Sequence, residues 1–360
     1  MMRIITRGIV LLLSVSIGTD QGITLGQVQH PPLPVDQLPA HLDLDHVPLG
    51  LNPIRPIPAD NPLTAEKVQL GRRLFFDPIL SANHQVSCAS CHLPGFHFSS
   101  PDPLALGIQG SRGKRHAPTL VNSAYGRSFF WDGRAKTLEE QALKPIGNPL
   151  EMGFQVDGAI QRLNRDKQYQ ALFQKAFTDG TNRTNLARAL ASFQRVLLAG
   201  NNPVDRFMAG DYAALTDSER QGMWLFDSRA GCWKCHSGPN FTDEKFHNTG
   251  ISWQSTSPDR GLFNHTRKAA DQGKFKTPSL RNIAETRPYM HDGSITSLWH
   301  VIEFYNEGGN RNPHLDPAIK PLQLTTDEIV HLIEFLKALT SNSDYRAAAP
   351  AGQNPFQAAP

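Results

Sequence analysis

The sequence predicts a mainly α-helical fold in which one unit occurs twice. Three observations carry this. The stretch Cys88-Ala-Ser-Cys91-His92 recurs as Cys232-Trp-Lys-Cys235-His236. A second match runs without gaps. Ala117-Pro-Thr-Leu-Val-Asn122 leads to Trp131-Asp132-Gly133, and Thr277-Pro-Ser-Leu-Arg-Asn282 leads to His291-Asp292-Gly293, with the same spacing from proline to aspartate. Between these landmarks the chain carries helix caps and amphipathic runs, and no strand pair stands out.

Each C-x-x-C-H is the attachment signature of a c-type haem. Two thiols two residues apart can each form a thioether to one porphyrin edge. The adjacent histidine, His92 or His236, then falls beneath the iron as its proximal ligand. A zinc site would need four ligands in one cluster, and a redox pair would not need the histidine twice. The two motifs use all four cysteines of the chain. No thiol remains for a disulfide or a nucleophile.

The elements follow in order. Arg3 and Arg7 precede the apolar run Ile9 to Ile17, which is too short to span a bilayer. Residues 1–26 therefore read as a signal peptide, and the body as exported to the periplasm with no integral span after cleavage. Residues 27–60 are proline-rich and read as an extended strap on the first domain. Thr64 to Phe76 is a periodic helix with Val68, Leu70, Leu74 and Phe75 apolar. Thr137-Leu-Glu-Glu140, Thr216-Asp-Ser-Glu219 and Thr325-Thr-Asp-Glu328 are capping boxes. Ala159 to Phe177 and Leu186 to Leu198 are further helical runs. The haem domains are expected over 61–200 and 201–345, with a disordered tail over 346–360. The net charge of +3 argues for no nucleic-acid partner.

The repeat lets the halves be compared residue by residue. Trp131 corresponds to His291, and Pro145 to Tyr305. Proline cannot ligate iron, whereas tyrosine can.

Several segments together resemble the di-haem cytochrome c peroxidase family, in its MauG-like (methylamine-utilisation) branch. They are Leu74-Phe-Phe-Asp-Pro78, Phe130-Trp131-Asp132-Gly133-Arg134, Asn148-Pro-Leu-Glu151-Met152-Gly153, Pro288-Tyr-Met-His-Asp-Gly293 and Phe304-Tyr305-Asn-Glu-Gly-Gly309. The resemblance implies two cytochrome c-like domains with facing haems. It implies that the N-terminal haem meets peroxide, with Glu151 as acid/base and Gln141 orienting the peroxide. Trp131 resembles a relay between the haems. Tyr305 resembles the tyrosine that closes the C-terminal iron in MauG-like members, with Met290 and His291 as rival axial ligands. A calcium ion between the domains is implied on the carbonyls of Thr286 and Pro288. The family's asparagine ligand is here replaced by His116, and imidazole is a poor ligand for a hard cation. The loop before Ala117 offers only His97 and His116 for the displaceable histidine of classical members, and neither matches.

The function so implied is an exported peroxidase. It reduces H2O2 through a high-valent iron pair and oxidises a redox protein or a protein side chain. One alternative is a classical cytochrome c peroxidase that takes electrons from a small cytochrome or cupredoxin. Another is a non-catalytic electron carrier or sensor. The acid Glu151 beside an iron flanked by Pro145 speaks against a carrier, which saturates both axial positions.

Overall fold

The structure is a computed structural model that describes residues 44–341 apart from 252, 254 and 256. The expected signal peptide, the start of the strap and the C-terminal tail lie outside the described residues. Eleven α-helical segments are named here: α1 (Ala65–Phe76), α2 (Cys88–Cys91), α3 (Leu138–Gly147), α4 (Val156–Arg165), α5 (Lys167–Ala176), α6 (Arg183–Arg195), α7 (Pro203–Met208), α8 (Asp217–Asp227), α9 (Phe263–Thr266), α10 (Leu298–Asn306) and α11 (Thr326–Ala338).

Local chemistry sets most of their ends. Thr64 caps α1 by accepting from the Lys67 N–H, and Val68, Leu70, Leu74 and Phe75 are buried. Thr216 and Thr325 form complete capping boxes with Glu219 and Glu328. At Thr137 only half of the box forms. Its hydroxyl accepts from Glu140, but the Glu140 carboxylate takes the N–H of Lys136 instead of the cap's own. The expected single run from Ala159 to Phe177 is two helices. Asp166 breaks it, because its carboxylate accepts from the N–H groups of Gln168 and Tyr169 and starts α5. The described residues also contain one short antiparallel pair that no alternation announced, β1 (Phe246–His247) with β2 (Phe275–Lys276).

Two helix crossings organise the core. α1 packs on α6, and α8 packs on α11. Each crossing uses a glycine for close approach. A Cβ on Gly71 would sit 1.9 Å from the Ala189 carbonyl oxygen, and one on Gly222 would sit 1.9 Å from that of His331. An aromatic trio fills each crossing. Phe75 lies 5.8 Å from Phe98 and 5.1 Å from Phe193, centroid to centroid. Phe226 lies 6.3 Å from Phe241 and 5.0 Å from Phe335. Such pairs add about 0.5–1.5 kcal/mol each beyond their burial. Asn122 and Asn282 both adopt left-handed backbone, at φ of 60° and 59°. Each ties down the chain leaving the last helix of its crossing. Asn122 Oδ1 accepts from Ala199 N–H at 2.8 Å, and Asn282 Oδ1 accepts from Ser341 N–H at 2.8 Å.

The described part of the strap crosses more than the first half. The Tyr125 hydroxyl donates to the Asn52 carbonyl at 2.9 Å. Arg281, in a buried ion pair with Asp205 at 2.8 Å, donates to the Gly50 carbonyl at 2.8 Å. Among the described residues, no helix is long and apolar enough to cross a membrane.

Candidate haem sites

A cavity of about 1030 Å³ opens beside α2. Cys88, Cys91 and His92 line it from one side, and Trp131, Gln141 and Glu151 also face it. The His92 ring is aimed by main-chain oxygens. Its Nδ1 lies 3.0 Å from the carbonyls of Phe98 and Pro118. Nδ1 must donate to them, which leaves the Nε2 lone pair for a metal. Burial drives this imidazole down to about 4, so it is neutral near pH 7.

Helix α3 and the loop after it build another wall. Gln141 and Pro145 are one turn apart and both reach the cavity. The Pro145 carbonyl then accepts from the N–H groups of Asn148 and Met152, at 3.2 and 3.3 Å, so the chain doubles back. Within that loop Asn148 Nδ2 donates to Glu151 Oε1 at 2.7 Å. The Glu151 carbonyl accepts from Ile108 N–H at 2.8 Å. Burial raises the Glu151 carboxyl above the usual range, against the Asn148 hydrogen bond and the Arg134 charge. Pro145 brings no donor atom to the same cavity.

A second cavity, of about 250 Å³, is lined by Cys232, Cys235, His236, Met290, His291 and Tyr305. His236 Nδ1 lies 3.0 Å from the Phe241 carbonyl, which again frees Nε2. The expected ligand and both rivals thus meet at one site. Tyr305 comes from α10, near its C-terminal end. Burial pushes its phenol above the usual value, and the Thr249 hydrogen bond opposes this. A ferric ion bound to that oxygen would reverse the balance and strip the proton.

Trp131 and His116 line both cavities. Trp131 Nε1–H donates to the His116 carbonyl at 2.9 Å, and its own carbonyl accepts from Lys276 N–H at 2.8 Å. The His116 N–H donates to the His291 carbonyl at 2.8 Å. The His291 ring stacks on Phe275 at 3.5 Å and meets Trp131 edge-on at 6.4 Å. Thr286 and Pro288 line the second cavity. The His116 ring pairs with Ser99 Oγ and the Asp102 carbonyl, each at 3.2 Å, and offers a hard cation no oxygen. His97 is buried and lines neither cavity.

Two groups escaped sequence reasoning. Arg115 grips Asp259 with Nε and Nη2, at 2.7 and 2.9 Å, and reaches Asp132 at 2.5 Å. Arg134 and His265 also bind Asp132, each at 2.9 Å. Burial raises the Asp132 carboxyl, but Arg115 and Arg134 outweigh it and hold it below the usual range. The Trp-Asp-Gly-Arg segment marked Asp132 and Arg134, yet nothing marked Arg115, Asp259 or His265. His247, beside the second cavity, is held between Asp316 at 2.6 Å and Asp243 at 3.0 Å. No motif announces that trio.

The methylamine utilization protein MauG of Methylorubrum extorquens is 41% identical to this chain over 286 residues, which cover 79% of the chain and 81% of that protein. The chain belongs to the di-haem cytochrome c peroxidase family. The family description itself matches residues 65–213. Cytochrome-c peroxidase IdrP1 of Pseudomonas sp. (strain SCT) is 35% identical, covering 82% of the chain and 86% of that protein. The crystal structure of a MauG-like protein associated with microbial copper homeostasis superposes with a TM-score of 0.74 at 33% identity, covering 86% of this chain and 97% of that one. As a di-haem peroxidase the chain is an oxidoreductase acting on peroxide, and its family implies two c-type haems. The residues fit that cofactor. Each cavity has a cysteine pair on its wall and a histidine whose Nδ1 is committed to carbonyl oxygen.

Proposed function

We propose that this di-haem peroxidase is exported and MauG-like. It would reduce H2O2 at the first cavity and draw two electrons from a redox protein or a protein side chain. One observation carries the reading. The turn of α3 that faces the first cavity presents Pro145, and the matching turn of α10 presents Tyr305 to the second. A haem held at the first cavity would find no donor atom on Pro145, whereas one held at the second would find the Tyr305 phenol in its lining.

Cys88, Cys91 and His92 would hold one haem, and Cys232, Cys235 and His236 the other. When bound, these haems supply iron that accepts two oxidising equivalents from peroxide. The chain supplies the rest. The Glu151 carboxylate takes a proton from one peroxide oxygen and returns it to the other, which leaves as water. Its burial and raised pKa suit this shuttle. Gln141 orients the peroxide from one turn along α3. Trp131, shared by both walls, relays electrons. Each peroxide consumes two electrons and two protons and gives two waters.

The two-unit reading, over 61–200 and 201–345, is supported by the doubled glycine crossing, aromatic trio and left-handed asparagine. Export to the periplasm is supported by the Arg3/Arg7 and Ile9–Ile17 pattern. A phenolate on the second iron favours oxidised states, whereas the methionine of classical members favours reduced iron. The test is electron paramagnetic resonance of the ferric holoprotein, followed by addition of H2O2. One high-spin and one low-spin haem, reacting without prior reduction, is expected. A requirement for prior reduction would favour the classical reading. Two low-spin haems that ignore peroxide would leave only a carrier.

A further inference from the structure

We infer that Trp233 is an oxidation site at the protein surface, through which a small redox protein too large for either cavity delivers electrons to the second haem site. The inference rests on the peroxidase reading and goes beyond it by naming where the electrons enter.

The two haem motifs differ in their middle residues. The first carries Ala89 and Ser90, both small, and the Ser90 hydroxyl is used locally as acceptor for the Ser87 N–H at 3.0 Å. The second carries Trp233 and Lys234. Nothing in thioether attachment requires an indole there. Trp233 is 47% exposed, so its ring is not filling core. It nonetheless adjoins the chemistry. It is the chain neighbour of Cys232 and two residues from Cys235. It also lines one surface opening together with His236, Asp227, Gly238 and Phe241. The indole and His236, the histidine that would ligate the second iron, therefore share a single mouth to solvent.

Other oxidisable side chains serve this role less well. Trp131 is walled between the cavities, and Tyr305 lies within the second. Trp299 packs against the C-terminal core. Trp224 is more exposed, at 63%, but lines neither cavity nor the mouth beside His236. Trp233 alone combines exposure with a place in the haem-binding segment. Indole is among the side chains that give up an electron most readily, and its π face also attracts partner surfaces. The next residue, Lys234, is also exposed and lines the second cavity, while Asp227 lines the mouth.

The step balances simply. Trp233 passes one electron inward and takes one from one donor, and no bond to the indole forms or breaks. Two donors are oxidised for each H2O2, and the two protons are consumed where peroxide becomes water.

The experiment uses the holoprotein with both haems. H2O2 is added in equimolar amount with the spin trap 2-methyl-2-nitrosopropane, and the peptides are mapped by mass spectrometry. An adduct on the peptide containing Trp233 is expected, and an adduct confined to other residues overturns the inference. In parallel, Trp233→Phe should oxidise ferrous cytochrome c about tenfold more slowly or worse, the equivalent of about 1.4 kcal/mol in barrier. Trp233→Tyr should recover part of the loss, because a phenol can also give up an electron. An unchanged rate in Trp233→Phe overturns the inference whatever the adduct map. If Trp233→Phe fails to load haem, the wild-type adduct and Trp233→Tyr decide. A wild-type holoprotein whose absorption spectrum ignores H2O2 overturns the peroxidase reading itself. A normal response without a Trp233 adduct overturns this inference alone.

Discussion

Asn148 holds the Glu151 carboxylate at 2.7 Å from within the same loop. The contact engages Oε1, so in the proposed reaction Oε2 is the oxygen that would meet peroxide. Glu151→Gln keeps the shape and removes the proton shuttle. It should slow the reaction with H2O2 by about 10²–10⁴-fold while both haems stay bound. Asn148→Ala keeps the acid and loses a hydrogen bond to a charged group, worth about 1.5–3 kcal/mol. It should fall between wild type and Glu151→Gln. Stopped-flow absorption after mixing with peroxide measures both, and equal rates in all three proteins would remove Glu151 from the reaction.

The same carboxyl sets a pH dependence. Burial raises its pKa above the ordinary 4.5. In the proposed reaction the carboxylate form accepts the peroxide proton, so the bimolecular rate should fall as pH drops through that raised value. Glu151→Gln should lose this acid limb. The stability linkage has the opposite sense. The folded state holds this proton more tightly than the unfolded one, so its contribution falls as pH rises from about 4.5 through the folded value. A rate profile that is flat over this range in the wild type would contradict the assignment.

At the second cavity, Tyr305→Phe removes the phenol on which Cys235 and Cys232 act, and leaves Tyr289, which also lines it. The low-spin ferric signal should convert to high spin, and Tyr305→Met should restore a six-coordinate iron of higher potential. Electron paramagnetic resonance and a redox titration read the two outcomes. Survival of the original signal in Tyr305→Phe would move the ligand to Met290 or His291.

The helix crossings offer a stability test that leaves both sites untouched. An alanine at Gly71 or Gly222 drives a methyl group into a carbonyl oxygen of the facing helix. Each change should cost about 1–3 kcal/mol or more by overpacking. Denaturant unfolding of the holoprotein should show a lower midpoint for both. A tolerated Gly222→Ala would mean that α8 and α11 can separate at no cost.

Much of this was readable from the chain because it depends on short spacing. The caps at Thr64, Thr216 and Thr325 are local, and so are the C-x-x-C-H motifs. The expected correspondence of Pro145 with Tyr305 rests on an ungapped count, and the two residues line the first and second cavity respectively. What escaped involves main-chain oxygens or distant partners. Phe98 and Phe241 orient the two histidines through carbonyls, which every residue possesses. Arg115 and Asp259 are 144 residues apart, and no periodicity links them. Asp166 looked like a polar residue on one helix, but its carboxylate binds backbone N–H groups and ends that helix. The strap looked like a cover for the first half, whereas Gly50 accepts from Arg281 in the second.

The shared wall bears on how this protein could be re-engineered. Trp131 and His116 belong to both cavities, and the backbone of His116 is bonded to that of His291. The two halves are therefore poor exchangeable cassettes. A chimera that took its first half from one relative and its second from another would join two unmatched faces of a single partition. Segments 115–132 and 275–291 would have to travel together. Substitutions on opposite sides of the partition should likewise fail to add, so the effect of a change at one iron would depend on which residue stood beside the other.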